Sequence, residues 1–352
     1  MANKLGAAVF GAGWVSGEHI RAYQKNPHTA VVAIGSRRLE TAKAKAADFG
    51  CDCPCYDDYD KLLADPNVDI ISICTPASVH VDLGVRAARA GKHILMEKPM
   101  CVDLDGAKRL RDAVAKAGVR SVVSFVLRWN PLVRIIKQQL ADGAVGRILY
   151  GEFAYFHAIG PWYPGFDHFR TRAGTGNAML CGGSHAVDAM RWFIGDKVTE
   201  VTAYSTRGNL PPFDQIEYDP TIVALCKFAG GAIAKVACCF ECNCPYMFDI
   251  LLMGDKGTIR DNAYYGHKCL GTYGHPEIGQ GQYGWVEWPT VLPDSGDVEH
   301  HPFQGEIDHL VECIQTGKES HVNIADAYET HEICIAATLS AERGGGPVKL
   351  PL

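Results

Sequence analysis

The stretch "KLGAAVFGAGWVSGEHIRAY", residues 4–23, constrains the fold of this chain more than any other. A short apolar run ends at Phe10, the chain turns through Gly11-Ala12-Gly13, and a helical pattern begins at Trp14 and Val15. A strand, a glycine turn and a helix in that order open a dinucleotide-binding βαβ unit. Gly11 permits the tight turn. Gly13 lets a diphosphate approach the N–H groups of the helix N-terminus, where Trp14 and Val15 stand. Ser16, followed by Gly17, takes the place of the third glycine of G-x-G-x-x-G, and a small residue still allows close helix–strand packing.

Regular units follow. "TAVVAIGS" (29–36) is a strand and "LETAKAKAADFG" (39–50) its helix. "VDIISICTP" (68–76) has the apolar run of a parallel strand buried on both faces, and "VHVDLGVRAARAG" (79–91) is a helix closed by glycine. The strand "HILMEKP" (93–99), the helix "LDGAKRLRDAVAKAG" (104–118) and the strand "VRSVVSFV" (119–126) complete the series. This alternation predicts an α/β domain over residues 1–124, a doubly wound parallel sheet with its ligand at the carboxyl ends of the strands. At the end of the second strand, an acidic residue would hold a free ribose 2′-hydroxyl. Ser36-Arg37-Arg38 stands there instead, a set suited to a 2′-phosphate, so NADP is expected ahead of NAD. An arginine that stacks on adenine or faces water is the alternative.

Beyond residue 125 the pattern changes to longer alternating strands at 147–157, 198–205, 221–229, 231–241 and 248–253. "AGG" (229–231) and "GDKG" (254–257) are turn signals between them. Helical patterns cover 131–142, 184–194, 303–316 and 325–342. Residues 125–352 are therefore expected to form an α+β domain with a large, mostly antiparallel open sheet, with C-terminal helices within 303–342. The stretch 263–302, rich in Gly, Tyr, His and Pro, is expected to be a long ordered loop.

Two domains also suit the length of 352 residues, because single cores stop growing near roughly 250–300 residues. The net charge of −6, with no Lys/Arg-rich run, argues against nucleic acid and anionic membranes as partners. No apolar run approaches the roughly 18 residues of a spanning helix, and the first residues lack a signal peptide's pattern, so a cytoplasmic protein is expected. Of the 14 cysteines, the clusters "CDCPC" (51–55) and "CCFECNC" (238–244) fit neither paired zinc spacing nor a ferredoxin run. Reduced structural cysteines and no metal are expected.

Three further signals stand together: Thr75-Pro76 followed by His80, Glu97-Lys98-Pro99 at a strand end, and "CGGSHAVDAMRW" (181–192) in the second domain. With "RWNPLVRIIKQQLADGAVGRI" (128–148), "MGDKGTIRD" (253–261) and the tail 324–350, the chain resembles the family of glucose–fructose oxidoreductase, inositol dehydrogenase and rhizopine-catabolism proteins (Gfo/Idh/MocA) over nearly its whole length. The resemblance implies an NAD(P)-dependent oxidoreductase acting on CH–OH groups, with Thr75, Pro76, His80, Glu97 and Lys98 around the cofactor. Subunit association over the open sheet is implied as well, giving a dimer or tetramer.

Hydride transfer from a carbinol carbon requires the hydroxyl proton to leave too. The family pattern in the second domain runs roughly Asp-x-Gly-x-His-x-x-Asp. His185 corresponds to its general base and Asp188, three residues on, to a residue that orients the imidazole. Cys181 replaces the first aspartate, whose carboxylate only a perturbed thiolate could copy, so three outcomes are open: His185 works with Lys98 alone, which is the default, the substrate differs, or the site has drifted towards other chemistry. If Ser184 caps the following helix, its positive end disfavours imidazolium at His185. His157, Trp162, Tyr163, His168 and Arg172 are candidates for holding a sugar ring, whose faces are partly apolar and whose rim carries hydroxyls. Arg128 and Asn130, at the domain junction, are candidates for the carboxamide or the substrate. The resulting expectation is a dehydrogenase for a secondary hydroxyl of a sugar, polyol or glycoside, plausibly carbon 3 of a glucoside. An NAD-dependent glycosidase using transient oxidation and a non-catalytic nucleotide sensor are the alternatives.

Overall fold

The computed structural model describes residues 4–266, 285–290 and 301–352. Its first sheet is built from β1 (Leu5–Phe10), β2 (Thr29–Gly35), β3 (Cys55–Tyr56), β4 (Ile70–Ile73), β5 (His93–Met96) and β6 (Ser121–Val123). These are joined through the helices α1 (Trp14–Lys25), α2 (Leu39–Asp48), α3 (Tyr59–Leu63), α4 (His80–Arg89) and α5 (Leu104–Ala117). The strands pair in parallel in the order β3-β2-β1-β4-β5-β6. β4 has no exposed position, as its unbroken run Ile70-Ile71-Ser72-Ile73 requires when helices cover both faces. The strand order reverses between β1 and β4, which opens a crevice at their carboxyl ends. The short β3 and α3, in "CYDDYDKLL", lie where no element was expected. Asp58 starts α3 by accepting from the N–H groups of Asp60 and Lys61.

The second sheet starts after α6 (Pro131–Ala141). It contains β7 (Ile148–Phe156), β8 (Val198–Thr206), β9 (Thr221–Phe228), β10 (Ile233–Cys239) and β11 (Met247–Gly254). The short strands β12 (Gly257–Arg260), β13 (Ala263–Gly266), β14 (Val286–Glu287) and β15 (Val348–Lys349) complete it. The order is β14-β13-β12-β11-β7-β10-β9-β8-β15, antiparallel throughout except between β7 and β10. In β9, buried and exposed residues alternate cleanly, the pattern of a sheet covered on one face. After the short helices α7 (Phe166–Phe169) and α8 (Arg172–Thr175), the covering helices are α9 (Ser184–Ile194), against β7 and β10, and α11 (Ile324–Glu342), against β8. β13 and β14 make sheet from parts of the stretch expected to be a loop; the rest of that expectation, 267–284 and 291–300, lies outside the described residues.

Two cores result. One fills the parallel sheet and the other the antiparallel sheet. The chain does not divide between them as simply as the boundary at 125 implies. α10 (Phe303–Thr316) returns to the first core through Ile307, Leu310 and Val311. α11 serves both, with Ile324, Ala327 and Tyr328 in the first core and Ile333, Cys334, Ala336 and Ala337 in the second. A helix that is apolar on several sides has no solvent face to spare, and here it becomes the strut between domains. The described cysteines are free thiols. No helix among the described residues is long and apolar enough to cross a membrane.

Candidate active site

The crevice brings together the residues at the ends of β1, β4 and β5. Gly11 has φ +120°, and a Cβ there would stand 2.2 Å from the Cys74 carbonyl oxygen, so only glycine lets β1 and β4 approach this closely. Above Gly13, nothing lies within 4 Å of where a Cβ would point. α1 starts there without a side-chain cap, its first N–H groups open to the crevice. The Oγ1 of Thr75 is buried on the same side without a hydrogen-bond partner. An open glycine turn, uncapped helix N–H groups and an unsatisfied hydroxyl fit a dinucleotide phosphate and ribose. Ser36 bonds Thr41 Oγ1 at 2.8 Å, while Arg37 and Arg38 are exposed beside it.

His80 plays a different part from the expected cofactor contact. It is buried, with Nε2 at 2.7 Å from the Thr75 carbonyl and Nδ1 at 2.8 Å from the Pro99 carbonyl. It thus ties the end of β4 to the loop after β5, because both ring nitrogens face backbone oxygens. From the other side, the Met100 N–H donates to His331 Nε2 at 3.0 Å, and His331 Nδ1 is 2.8 Å from the Ala327 carbonyl. The Lys98–Pro99 peptide, which is cis, is held between these two histidines.

Lys98 leaves this loop towards the second domain, and its Nζ lies 3.4 Å from the carbonyl oxygen of Cys181. That carbonyl belongs to a π-helical turn, Met179–Gly183, which runs straight into α9. Asn177 starts the turn, its side chain accepting from the Leu180 N–H at 2.9 Å. The sequence reading of Ser184 as the helix cap is therefore corrected. Its hydroxyl bonds back to the Cys181 carbonyl at 3.0 Å, and His185 lies well inside the continuous helix, away from its positive end. Gly182 and Gly183 let this turn press onto the sheet, since a Cβ on Gly182 would meet the Tyr155 ring at 2.5 Å and one on Gly183 the Met179 sulfur at 2.7 Å.

His185 is 3% exposed and sits between the domains. Its ring stacks on Tyr155 at 6.0 Å, meets Phe125 edge-on at 5.8 Å and faces His301 at 6.0 Å. Tyr246 packs on Tyr155 at 5.3 Å and on His157 at 5.5 Å, and His157 lies 5.7 Å from Tyr163. Lys98, Cys181, His185, His157 and Tyr163 therefore share one aromatic-walled site. Sequence reasoning missed Tyr155, Tyr246 and His301. Tyr155 sits at a period-two position of β7 two residues before His157, a signal that was present, whereas His301 is brought in only by the return of α10.

Other expectations are corrected. Both oxygens of Asp188 go to Arg128, at 2.8 Å from Nε and 2.7 Å from Nη2. Arg128 also bonds Asp326 at 2.6 Å and the His321 carbonyl. These two residues lock the junction rather than orienting the imidazole or reaching a ligand, because a buried guanidinium needs all its donors satisfied. Burial pushes the Asp188 carboxyl above its usual range, against the pull of Arg128. Asn130 accepts from the Leu132 N–H at 2.9 Å as the cap of α6. Burial also raises the Cys181 thiol, with Lys98 opposing, so a neutral thiol stands where the thiolate was weighed. His168 and Arg172 lie on the outer surface, Arg172 beside Glu342 at 3.6 Å. Trp162 is 59% exposed and edge-on to Phe213.

Comparison with known proteins agrees with this architecture. Residues 5–125 match the model of the oxidoreductase family with an NAD-binding Rossmann fold, and residues 133–260 match the GFO/IDH/MocA C-terminal domain. The scyllo-inositol 2-dehydrogenase (NAD(+)) of Bacillus subtilis is 27% identical over 353 residues, covering 99% of this chain and 97% of that protein. The uncharacterized oxidoreductase YrbE of the same organism is 30% identical over 264 residues, 75% of each chain. The structure of levoglucosan dehydrogenase in complex with NADH and levoglucosan superposes with a TM-score of 0.85 at 22% identity, over 99% of this chain and 100% of that one. The two matched domains, their order along the chain and the glycine crevice between β1 and β4 lead to one conclusion: the protein belongs to the Gfo/Idh/MocA family of oxidoreductases.

Proposed function

We propose that this protein is a cytoplasmic NAD(P)-dependent dehydrogenase for a secondary hydroxyl of a sugar, polyol or glycoside, with Lys98 and His185 handling the proton. One observation carries the reading: the Lys98 ammonium of the first domain reaches the carbonyl of Cys181, four residues before His185 in the second. The cation of the first domain and the imidazole of the second thus stand at one seam. Gly11, Gly13 and Thr75 would hold the nicotinamide cofactor, which would supply the acceptor for the hydride of the carbinol carbon. Lys98 hydrogen-bonds the carbinol oxygen and steadies negative charge as it forms, and His185 takes the hydroxyl proton. Cys181 adds no second base, its thiol being neutral, and contributes the carbonyl that aims Lys98. Tyr155, His157, Tyr163 and Tyr246 offer ring faces and polar edges to a sugar. Relatives named scyllo-inositol 2-dehydrogenase and levoglucosan dehydrogenase support this substrate class. Exposed Arg37 and Arg38 beside Ser36 support a 2′-phosphate on the cofactor.

The test is a panel of polyols, sugars and glycosides offered with NAD and with NADP, followed by absorbance of the reduced nicotinamide. Reduced cofactor with a member of the panel, and faster turnover with NADP, is the expected result. Free sugar released from a glycoside without net reduction would mean a hydrolase working by transient oxidation. Nucleotide binding without turnover across the panel would mean a sensor.

The open sheet face carries Val223, Leu225, Ile233 and Met253, each at least 40% exposed, around an internally neutralised Glu152–Lys235 pair. A second copy of the chain is the partner we assign to this apolar, charge-balanced face. Sedimentation should therefore give a dimer or tetramer, and Leu225→Glu should shift it towards monomer. A wild-type monomer at tens of micromolar would rule the assignment out.

A further inference from the structure

Beside Lys98 lies a largely buried polar chain that the proton-transfer reading does not use. It runs Tyr23–Ser72–His19–Glu97–Ser124–Glu306. Its hydrogen bonds can be given directions. The buried hydroxyl of Tyr23 has one partner, Ser72 Oγ at 2.8 Å, and donates to it; an O–H that only accepted would leave its proton unsatisfied. Burial raises this phenol, which keeps its proton. Ser72 then donates to His19 Nδ1 at 3.2 Å, which leaves Nε2 to donate to Glu97 Oε1 at 3.0 Å.

Glu97 is the acceptor on which these bonds converge. It receives His19 and Ser124 (3.1 Å) on Oε1 and the Lys98 N–H (3.2 Å) on Oε2. Although burial works against it, these bonds and the nearby Lys98 charge hold its carboxyl below the usual range. Ser124 has one proton, already given to Glu97, yet its Oγ is also 3.2 Å from Glu306 Oε1. That contact is a hydrogen bond only if Glu306 supplies the proton. Its other oxygen, Oε2, is buried with no partner among the described residues, tolerable for the carbonyl of a neutral acid and prohibitive for an anion. Burial and the neighbouring Glu97 charge both push the Glu306 carboxyl well up.

We propose that Glu306 is a positioning residue that works as a neutral carboxylic acid, donating through Ser124 to Glu97 and so fixing a single negative charge beside Lys98. The proposal rests on the reading of Lys98 as a reacting group. The elements packed around it bring these groups: α1 His19 and Tyr23, the end of β4 Cys74, the end of β5 Glu97 and Lys98, the end of β6 Ser124, and α10 Glu306 itself. A second anion at Glu306 would repel Glu97 across a low-dielectric gap and loosen the carboxylate that holds the Lys98 backbone.

The test compares Glu306→Gln and Glu306→Ala with wild type. A glutamine amide can donate as the acid does, so Glu306→Gln should cost at most about 3-fold in kcat, against at least about 10-fold for Glu306→Ala. The second readout is thermal unfolding from pH 5 to 8.5. An acid whose folded pKa is raised gives stability that is complete below its ordinary value of 4.5 and is lost as pH climbs towards the folded one. Glutamine has no such dependence, so the melting temperature of Glu306→Gln should rise relative to wild type as pH increases. A deficit for Glu306→Gln that is the same at every pH would overturn the proposal. So would a chelator that lowers wild-type melting, since His19 Nε2 and the two carboxylates, with ligand atoms within 4.8 Å of one another, would then hold a cation. Equal kcat for Glu306→Ala and wild type would also overturn it. A fully active Lys98→Met, with the pH-dependent melting difference intact, would instead sink only the Lys98 reading.

Discussion

Lys98→Met should lower kcat by about 10²- to 10⁴-fold, the range for removing a positioned proton-transfer group. At about 1.36 kcal/mol per decade, the loss is roughly 3–5.5 kcal/mol of transition-state stabilisation. Methionine keeps much of the length and apolar stem of lysine but carries no charge and cannot donate to a carbinol oxygen. Lys98 is only partly buried, and among the described residues its ammonium meets one partner, the Cys181 carbonyl, so folding and nucleotide binding should survive. Steady-state kinetics on the best substrate of the panel, with nucleotide affinity measured by quenching of protein fluorescence, checks both halves. A kcat within a few-fold of wild type would remove Lys98 from the chemistry.

Arg128→Met should be the most damaging single change to stability, by about 3–5 kcal/mol, because it strands a buried carboxylate. Asp188 is 2% exposed and receives two of the five guanidinium donors, while Asp326 and the His321 carbonyl take others. The cluster joins the start of the second domain, α9 and the first turn of α11, so its loss should loosen the seam that sets Lys98 against His185. Arg128→Lys should recover only part, since a point-like ammonium cannot match the bidentate fork. Adding Asp188→Leu to Arg128→Met should recover more than lysine does, because no charge is then left unpaired. Urea unfolding measures all three, and an unchanged midpoint for Arg128→Met would show the pair to be solvated.

Much of this was legible in the sequence, for reasons tied to particular elements. The βα alternation of residues 5–123 has two strong periods, and glycines close its helices. α9, α10 and the main strands of the second sheet follow the same logic, being long and regularly patterned. β3 and α3 escaped because elements of two and five residues carry too little periodicity to stand out from a loop. β13 and β14 escaped because strands that short, at one end of a sheet, depend on their neighbours for hydrogen bonds. Lys98 and His185 were visible as residue types in family-like surroundings. Their partners were not.

The sequence by itself determined the local chemistry: which backbone turns need glycine, which helices need a cap, and which segments must be buried on one face or two. Tertiary structure alone decided how shared polar groups are spent. In sequence, Arg128 looks like a ligand-binding residue and Asp188, sixty residues on, like the partner of His185, until folding presses the two together and consumes their hydrogen bonds. Glu306, on a helix late in the sequence, is a candidate neutral acid only because α10 buries it beside the Glu97 carboxylate at the end of β5. Ionisation and hydrogen-bond satisfaction depend on what surrounds a group in space, and neighbours in sequence do not supply that.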